Sequence, residues 1–577
     1  MPDDAPLGSA GRNGRAVIIS ACRTPIGSFG RALASKTGPQ LGSIAITAAL
    51  QRAGATPSEV DEVIMGEVLT AGVGQAPARQ AAMGAGLPDT VPTTTVNKVC
   101  GSGLKALMFA SQAIALGDAE LMVAGGMESM SNAPYLLDKA RSGYRFGDQT
   151  VIDSMIRDGL WDTYNDFHMG NAAELLAGKY GIGREQQDEF AVESYRRAQA
   201  AQQHGAFDAE IVPVDLEDGS TVTADEEPAR ADFAKMSTLP PVFTEDGTVT
   251  AANASPLNDG AAALVVASER RAEALGAAPI ATVEAHASAA IAPELFTVAP
   301  GAVVPKVLER ANVELGDIEE IWYPSFDGEQ IQGWIIYPPD FDPNETYPMV
   351  LNIHGGPHAM YGVDFNYRFQ EWAANGYVVL YTNPRGSTGY GEEFAQLIDK
   401  AYPGNDYDDL MSVVDEMVAR DYVDPDRLFI TGGSGGGVLT AWTVGKTDRF
   451  AAAATIKPVI NWFTMALAGD IAPMVWRHWI REDPWENPQA YFDLSPISLV
   501  GNVTTPTLVM VGEEDYRTPA WEAEQFYTAL KLQGVETALI RVPESPHYIA
   551  SRPSRLIAKT DNIMGWFAKF DPAKQDE

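Results

Sequence analysis

The chain has 577 residues, 45% of them hydrophobic, and sets 41 Lys and Arg against 77 Asp and Glu for a formal net charge of −36. Such length predicts several domain-sized units whose cores need no disulfide staples, and two cysteines, Cys22 and Cys100, exclude a disulfide framework or a paired-cysteine zinc site. The acidic balance argues against nucleic acid and anionic membrane surfaces as partners, because both demand clustered Lys and Arg.

Residues 1–15 are polar, lack the charged-then-apolar pattern of a signal peptide, and read as a disordered tail. No run of about 18 apolar residues is evident, so the expectation is a cytoplasmic chain without a membrane span. AVIISA (16–21) is a short apolar run bounded by turn signals, which predicts a buried strand. Leu41, Ile44, Ala45 and Ala48 follow at helical spacing, VDEVIMGEVL (60–69) predicts another strand, and the alternation continues to about residue 126. Within it, VNKVCGSGLKALMFA puts Cys100 just ahead of an apolar helix, where free amides and the helix dipole favour a thiolate; a small buried cysteine is the alternative. From about 128 to 250 the pattern breaks into polar loops and short helices, as in an inserted loop domain, and a βα pair is expected over 279–313.

Near residue 320 the pattern changes again. IWYPSFDGEQIQGWIIYPP predicts a hairpin about its Asp-Gly turn. Strands are expected at 349–354, 376–382, 427–432, 451–456, 505–512 and 537–542, with helices between several of them. In one helix Leu410, Val413, Val414, Met417 and Val418 share a face. RLFITGGSGGGVLTAW supplies a G-x-S-x-G turn between a strand and a helix, the arrangement that exposes a serine hydroxyl and aims the amide of Gly435 at a developing oxyanion. Ser434 is the candidate nucleophile, and a serine needs a base oriented by a carboxylate. Asp515 and His547 each follow a strand, and the order Ser, Asp, His is that of an α/β-hydrolase.

HGGPHAMYG (354–362), NPRGSTGYGEEF (383–394), GGSGGG (432–437), GEEDYRTP (512–519) and SPHYI (545–549) resemble the catalytic domain of the prolyl oligopeptidase family, of the acylaminoacyl-peptidase or dipeptidyl aminopeptidase type. The resemblance spans about 322–577. It implies that Ser434 is the nucleophile, His547 the general base and Asp515 its orienter. It further implies that Tyr390 joins the Gly435 amide in the oxyanion hole, and that Arg517 binds a substrate carbonyl. His354 and His358 are expected to shape the loop beside the oxyanion hole rather than to bind a metal. The β-propeller that usually covers the site in that family would need blades at a period of about 40–50 residues, and no such repeat is present.

RTPIGSFG (23–30), NKVCGSG (97–103), GGMESMS (125–131), HMG (168–170) and NASPLNDGAA (253–262) resemble a thiolase of the acetyl-CoA acetyltransferase type. This implies that Cys100 is the acyl-accepting nucleophile and that His168, Met169 and Ser255 line a coenzyme A pantetheine site. The NEAFA-like, GHP-like and C-x-G-G-G motifs that supply a thiolase's asparagine, histidine and second cysteine are missing, and Cys22 is too early to serve as that second cysteine.

The resulting expectation is an α/β fold class in two parts. An incomplete thiolase-like region, 16–318, with its loop domain at about 128–250, precedes a complete α/β-hydrolase domain, 322–577. The expected activity is a serine peptidase cleaving short or N-acylated peptides, with the thiolase chemistry lost. The alternatives are acetyl-CoA acetyltransferase activity through Cys100, and an esterase fused to a non-catalytic remnant that binds coenzyme A or oligomerises. No metal or organic cofactor is expected; an acyl-CoA would enter only as a substrate of the thiolase-like part.

Overall fold

A computed structural model describes residues 14–475 and 479–574, so residues 1–13 of the expected tail lie outside the described residues. The chain divides into two units, Met1–Val313 and Glu314–Glu577.

The first unit is built on a mixed seven-stranded sheet. Its order is Ala281–Thr282, Ala16–Arg23, Asn258–Ser268, Leu121–Ser129, Glu62–Gly66 and Thr93–Val96, with Gly27–Ser28 paired off Asn258–Ser268. Alternation along the central strand decides what each face meets. Leu121 and Val123 pack with Leu41, Ala45, Ile46 and Ala49 of the helix Gly38–Ala53, whereas Met122 and Ala124 pack with Ala106, Ala110 and Ile114 of the helix Ser102–Leu116. The first helix starts on a Thr37–Gln40 capping box and stops at Gly54, whose φ of 66° favours a residue without a Cβ.

The second helix keeps its outer face apolar: Leu104 is 61% and Leu116 69% exposed. With the residues before it, this helix forms an 18-residue segment, Val99–Leu116, of mean hydropathy 1.4, which meets the length and composition of a membrane span. That corrects the expectation that no such stretch exists; its Ala106, Ala110 and Ile114 stripe nevertheless packs on the sheet. Between the sheet strands at 129 and 258 lie three two-residue ribbons and the helices Met169–Tyr180 and Arg184–Gln203, in keeping with a polar insertion. The expected βα pair contracts to the edge strand Ala281–Thr282 and the helix Ala299–Ala311.

The second unit is an eight-stranded sheet. Its order is Ile318–Pro324, Gln330–Ile336, Val378–Asn383, Tyr347–Ile353, Val423–Gly433, Ala452–Ile456, Thr507–Gly512 and Thr537–Val542. The first two strands form the expected hairpin; from Val378–Asn383 onward all pairings are parallel. The parallel strands are buried along most of their length because helices cover both faces. Met349, Leu351 and Ile430 meet Val413, Val414, Val438 and Phe526 on one side, and Val350, Val379 and Phe429 meet Phe369, Trp372, Trp566 and Phe567 on the other.

Candidate active site

The strand Val423–Gly433 ends in the centre of this sheet, and the helix Gly435–Lys446 leaves it after a single residue. That residue, Ser434, has a φ of 60° and a ψ of −119°, a region costly for a side-chain-bearing residue. The turn closes because its glycines have no Cβ; one on Gly432 would run into the backbone of Gly436. The Ser434 amide is held by the Ile456 carbonyl at 3.0 Å, which fixes the strained turn and leaves Oγ at the C-terminal edge of the sheet.

His547 Nε2 lies 3.0 Å from Ser434 Oγ, and its Nδ1 lies 2.8 and 3.0 Å from the two Asp515 oxygens. Asp515 is 3% exposed and also accepts from the amides of Arg517 and Thr518 and from the Thr518 hydroxyl. Burial pushes its carboxyl up, but the hydrogen bonds from His547 and Thr518 outweigh burial and hold it below the usual carboxylate range. For His547 burial dominates and lowers the imidazole; Asp515 opposes this, and the nearby Lys457 charge adds to it. The imidazole is therefore neutral near pH 7, with Nε2 free to accept a proton from Oγ. Such a chain of donors can turn a serine into a nucleophile.

Gly435 opens its helix, and amides in a first turn have no acceptor within the helix. The Gly355–Gly356 turn lies directly against it: a Cβ on Gly355 would sit 3.3 Å from Ser434 Cβ, and one on Gly435 would sit 2.6 Å from the Gly356 carbonyl oxygen. Tyr390 is not part of this arrangement, which corrects the expectation from sequence. Its ring packs on Trp322 and Phe394, its hydroxyl is held by Gln332 and Asn383, and it does not line the cavity at Ser434. Tyr361, which the sequence reading passed over, does line it. His354 bonds the Gly355 carbonyl and Ser387, and His358 bonds the Gly386 carbonyl, so both rings brace loops.

The cavity beside Ser434 has a volume of about 520 Å³. Ile471, Met474 and Trp479 give it an apolar wall, and Arg517 reaches it while its Nε donates to Asp470 at 2.7 Å. Arg368, Lys457 and Lys559 also line it, and no motif in the sequence marks any of them.

In the first unit Cys100 is exposed, in a turn where Val99 has a φ of 49° and Ser102 Oγ accepts from the Lys98 amide. It lines a separate cavity of about 360 Å³ together with Glu67, Glu128 and Asn258, and no histidine is among the described residues there. Burial and then the Glu128 charge push Glu67 up to about 8. Cys22 is elsewhere, buried in the core with Sγ donating to the Ala45 carbonyl at 3.2 Å, and burial raises its thiol. His168 caps the helix Met169–Tyr180 by accepting from the Gly170 amide at 3.0 Å, and its ring stacks on Phe243. Met169 begins that helix and Ser255 is exposed in the segment before Asn258–Ser268. Neither these two nor His168 lines the Cys100 cavity.

Residues 16–270 match the thiolase N-terminal domain, and residues 363–571 match the prolyl oligopeptidase family, a stretch that contains Ser434, Asp515 and His547. An acetyl-CoA acetyltransferase of Cupriavidus necator is 53% identical over 308 residues, which are 52% of this chain and 78% of that protein. Acetyl-CoA acetyltransferase 2 of Arabidopsis thaliana is 51% identical, over 52% of this chain and 76% of its own length. Among solved structures, the Acat5 thiolase of Ascaris suum in complex with coenzyme A is 41% identical with a TM-score of 0.50, again over 52% of this chain and 78% of that one.

Proposed function

This chain belongs to the thiolase family through its first half and carries a prolyl oligopeptidase family domain behind it, and we propose that its working chemistry is serine-dependent hydrolysis of short or N-acylated peptides. The observation that carries the reading is the hydrogen-bonded run from Ser434 Oγ through His547 to Asp515. Ser434 Oγ attacks the scissile carbonyl carbon while its proton passes to His547 Nε2. The Gly435 amide, with backbone of the adjoining Gly355–Gly356 turn, stabilises the oxyanion. The carbon–nitrogen bond breaks as Nε2 returns the proton to the leaving amine, and a water molecule, deprotonated by the same nitrogen, releases the acyl group. Arg517, which lines the cavity, is the candidate to hold a substrate carbonyl. An ester follows the same steps with an alcohol leaving.

For the first unit the reading is loss of thiolase turnover. Cys100 lines its cavity with no histidine among the described residues there, and Cys22 is locked in the core. His168, Met169 and Ser255 stand as candidates for a retained coenzyme A contact. Peptide anilides and p-nitrophenyl esters test the main reading: Ser434→Ala is expected to lower kcat/KM by about 10⁴-fold or more. Turnover that survives the substitution would sink it.

A further inference from the structure

The cavity that receives Ser434 and His547 is lined by three cations drawn from three separate elements: Arg368 of the helix Tyr367–Ala374, Lys457 just after the strand Ala452–Ile456, and Lys559 of the helix Pro553–Lys569. Among the described residues none of the three is ion-paired to a carboxylate. The Arg368 guanidinium lies 5.5 Å from the centre of the Trp372 ring and 5.7 Å from that of Phe369. The Lys457 ammonium donates to the backbone carbonyl of His547 at 2.8 Å. The carboxylate whose field reaches Lys457 is Asp515, which is already hydrogen-bonded to His547 and Thr518. Arg517, the fourth cation at the cavity, is paired with Asp470.

Burial lowers all three groups, and their charges oppose one another: Arg368 acts against Lys457, and both act against Lys559. Holding three like charges together in a partly desolvated cavity costs free energy unless an anion joins them. The chain as a whole carries a charge of −36, so this cavity is a local reversal of sign beside the nucleophile. Long-range repulsion by the remaining surface is screened beyond about 8 Å at physiological salt, whereas contacts inside the cavity are not.

We propose that Arg368, Lys457 and Lys559 form an anion subsite, and that the preferred substrate carries a carboxylate close to the scissile carbonyl. The proposal rests on the hydrolase reading above and adds a substrate class to it. The carboxylate can belong to an acidic side chain on the acyl side of the bond, or to the free C-terminus of a short peptide on the leaving side.

Two matched pairs assayed with the full-length chain separate these sources. N-acetyl-glutamyl p-nitroanilide against its glutaminyl counterpart probes the acyl side, and N-acetyl-alanyl-alanine against its C-terminal amide probes the leaving side. In at least one pair the charged member is expected to have a kcat/KM about tenfold or more above its neutral partner, the size of one charge-assisted hydrogen bond. Arg368→Gln and Lys559→Met should each bring that ratio toward unity, and Lys559→Arg should retain it. Ratios near unity in both pairs for the unsubstituted chain overturn the proposal without any variant. So does a preference that survives both Arg368→Gln and Lys559→Met. Hydrolysis of the neutral members that Ser434→Ala abolishes, with flat ratios, leaves the hydrolase standing and removes only the subsite. No hydrolysis of any member removes both.

Discussion

At the scale of single residues, burial lowers the His547 imidazole first, the Asp515 hydrogen bond opposes it, and the Lys457 charge lowers it further. The Lys457 ammonium is itself lowered to about 8, chiefly by burial. The other charges acting on His547 are Asp515, which raises it, and Arg517, which lowers it. Only the neutral imidazole can accept the Ser434 proton, so activity rises with pH through the His547 pKa. The acid limb of kcat/KM for a neutral substrate is therefore expected below the ordinary imidazole value of about 6.5. Lys457→Met removes a charge that disfavours protonation and should move that limb to higher pH. A midpoint that stays put or falls, read from the pH–rate profile, would show that the Lys457 charge does not act on His547. Ser434, Asp515 and His547 were legible in the sequence because a glycine-flanked turn and strand-end positions confine where a triad can form. Tyr390 was misread because the direction of its hydroxyl is decided by Gln332 and Asn383, at separations of 58 and 7 residues. Arg368, Lys457 and Lys559 carry no local pattern; only the packed sheet brings them to one cavity.

At the scale of elements, the hairpin is joined to the loop after Val378–Asn383 and to the helix Asn405–Val418 by one ionic cluster, in which Arg385 and Asp409 are buried and Asp327 is exposed. The Arg385 guanidinium donates to Asp409 at 2.7 Å and to Asp327 at 3.0 and 3.1 Å. Asp409 also accepts from Ser325 Oγ and from the Arg385 amide. Arg385 is 4% and Asp409 0% exposed, so removing one partner strands a buried charge. Arg385→Ala is expected to destabilise the second unit by about 3–5 kcal/mol. A lowered urea midpoint at unchanged slope would report this, and a loss below about 1 kcal/mol would place the pair among ordinary surface ion pairs. Long apolar strands such as Tyr347–Ile353 were readable because burial on both faces writes itself as a continuous run. The two-residue strand Ala281–Thr282 was not readable in its extent, since only its pairing with Val17 and Ile18 defines it.

At the scale of the whole chain, each unit has its own sheet with apolar clusters on both faces: Leu121 and Met122 in one, Leu351 and Val350 in the other. Each is expected to unfold as its own cooperative step, so calorimetry should resolve two transitions; a single transition with equal calorimetric and van't Hoff enthalpies would contradict this. Both cysteines belong to the first unit, but they differ in access. Cys100 is exposed, whereas Cys22 is buried with its thiol raised by burial. Iodoacetamide needs an accessible thiolate, so the native chain should take up a single label, at Cys100, and a second only after unfolding. A thiolase nucleophile also needs a base at hand, and the described lining of the Cys100 cavity offers the carboxyl groups of Glu67, Glu128 and Asp259 but no imidazole. Glu67, pushed up to about 8 by burial and the Glu128 charge, is largely protonated at neutral pH and so is mostly unavailable to accept a proton there. Acetoacetyl-CoA cleavage by the intact chain is therefore expected to stay at the uncatalysed rate, while alkylation of Cys100 leaves Ser434-dependent hydrolysis unchanged. Thiolysis that disappears on Cys100→Ala would reverse that conclusion and make this chain an enzyme with two working nucleophiles.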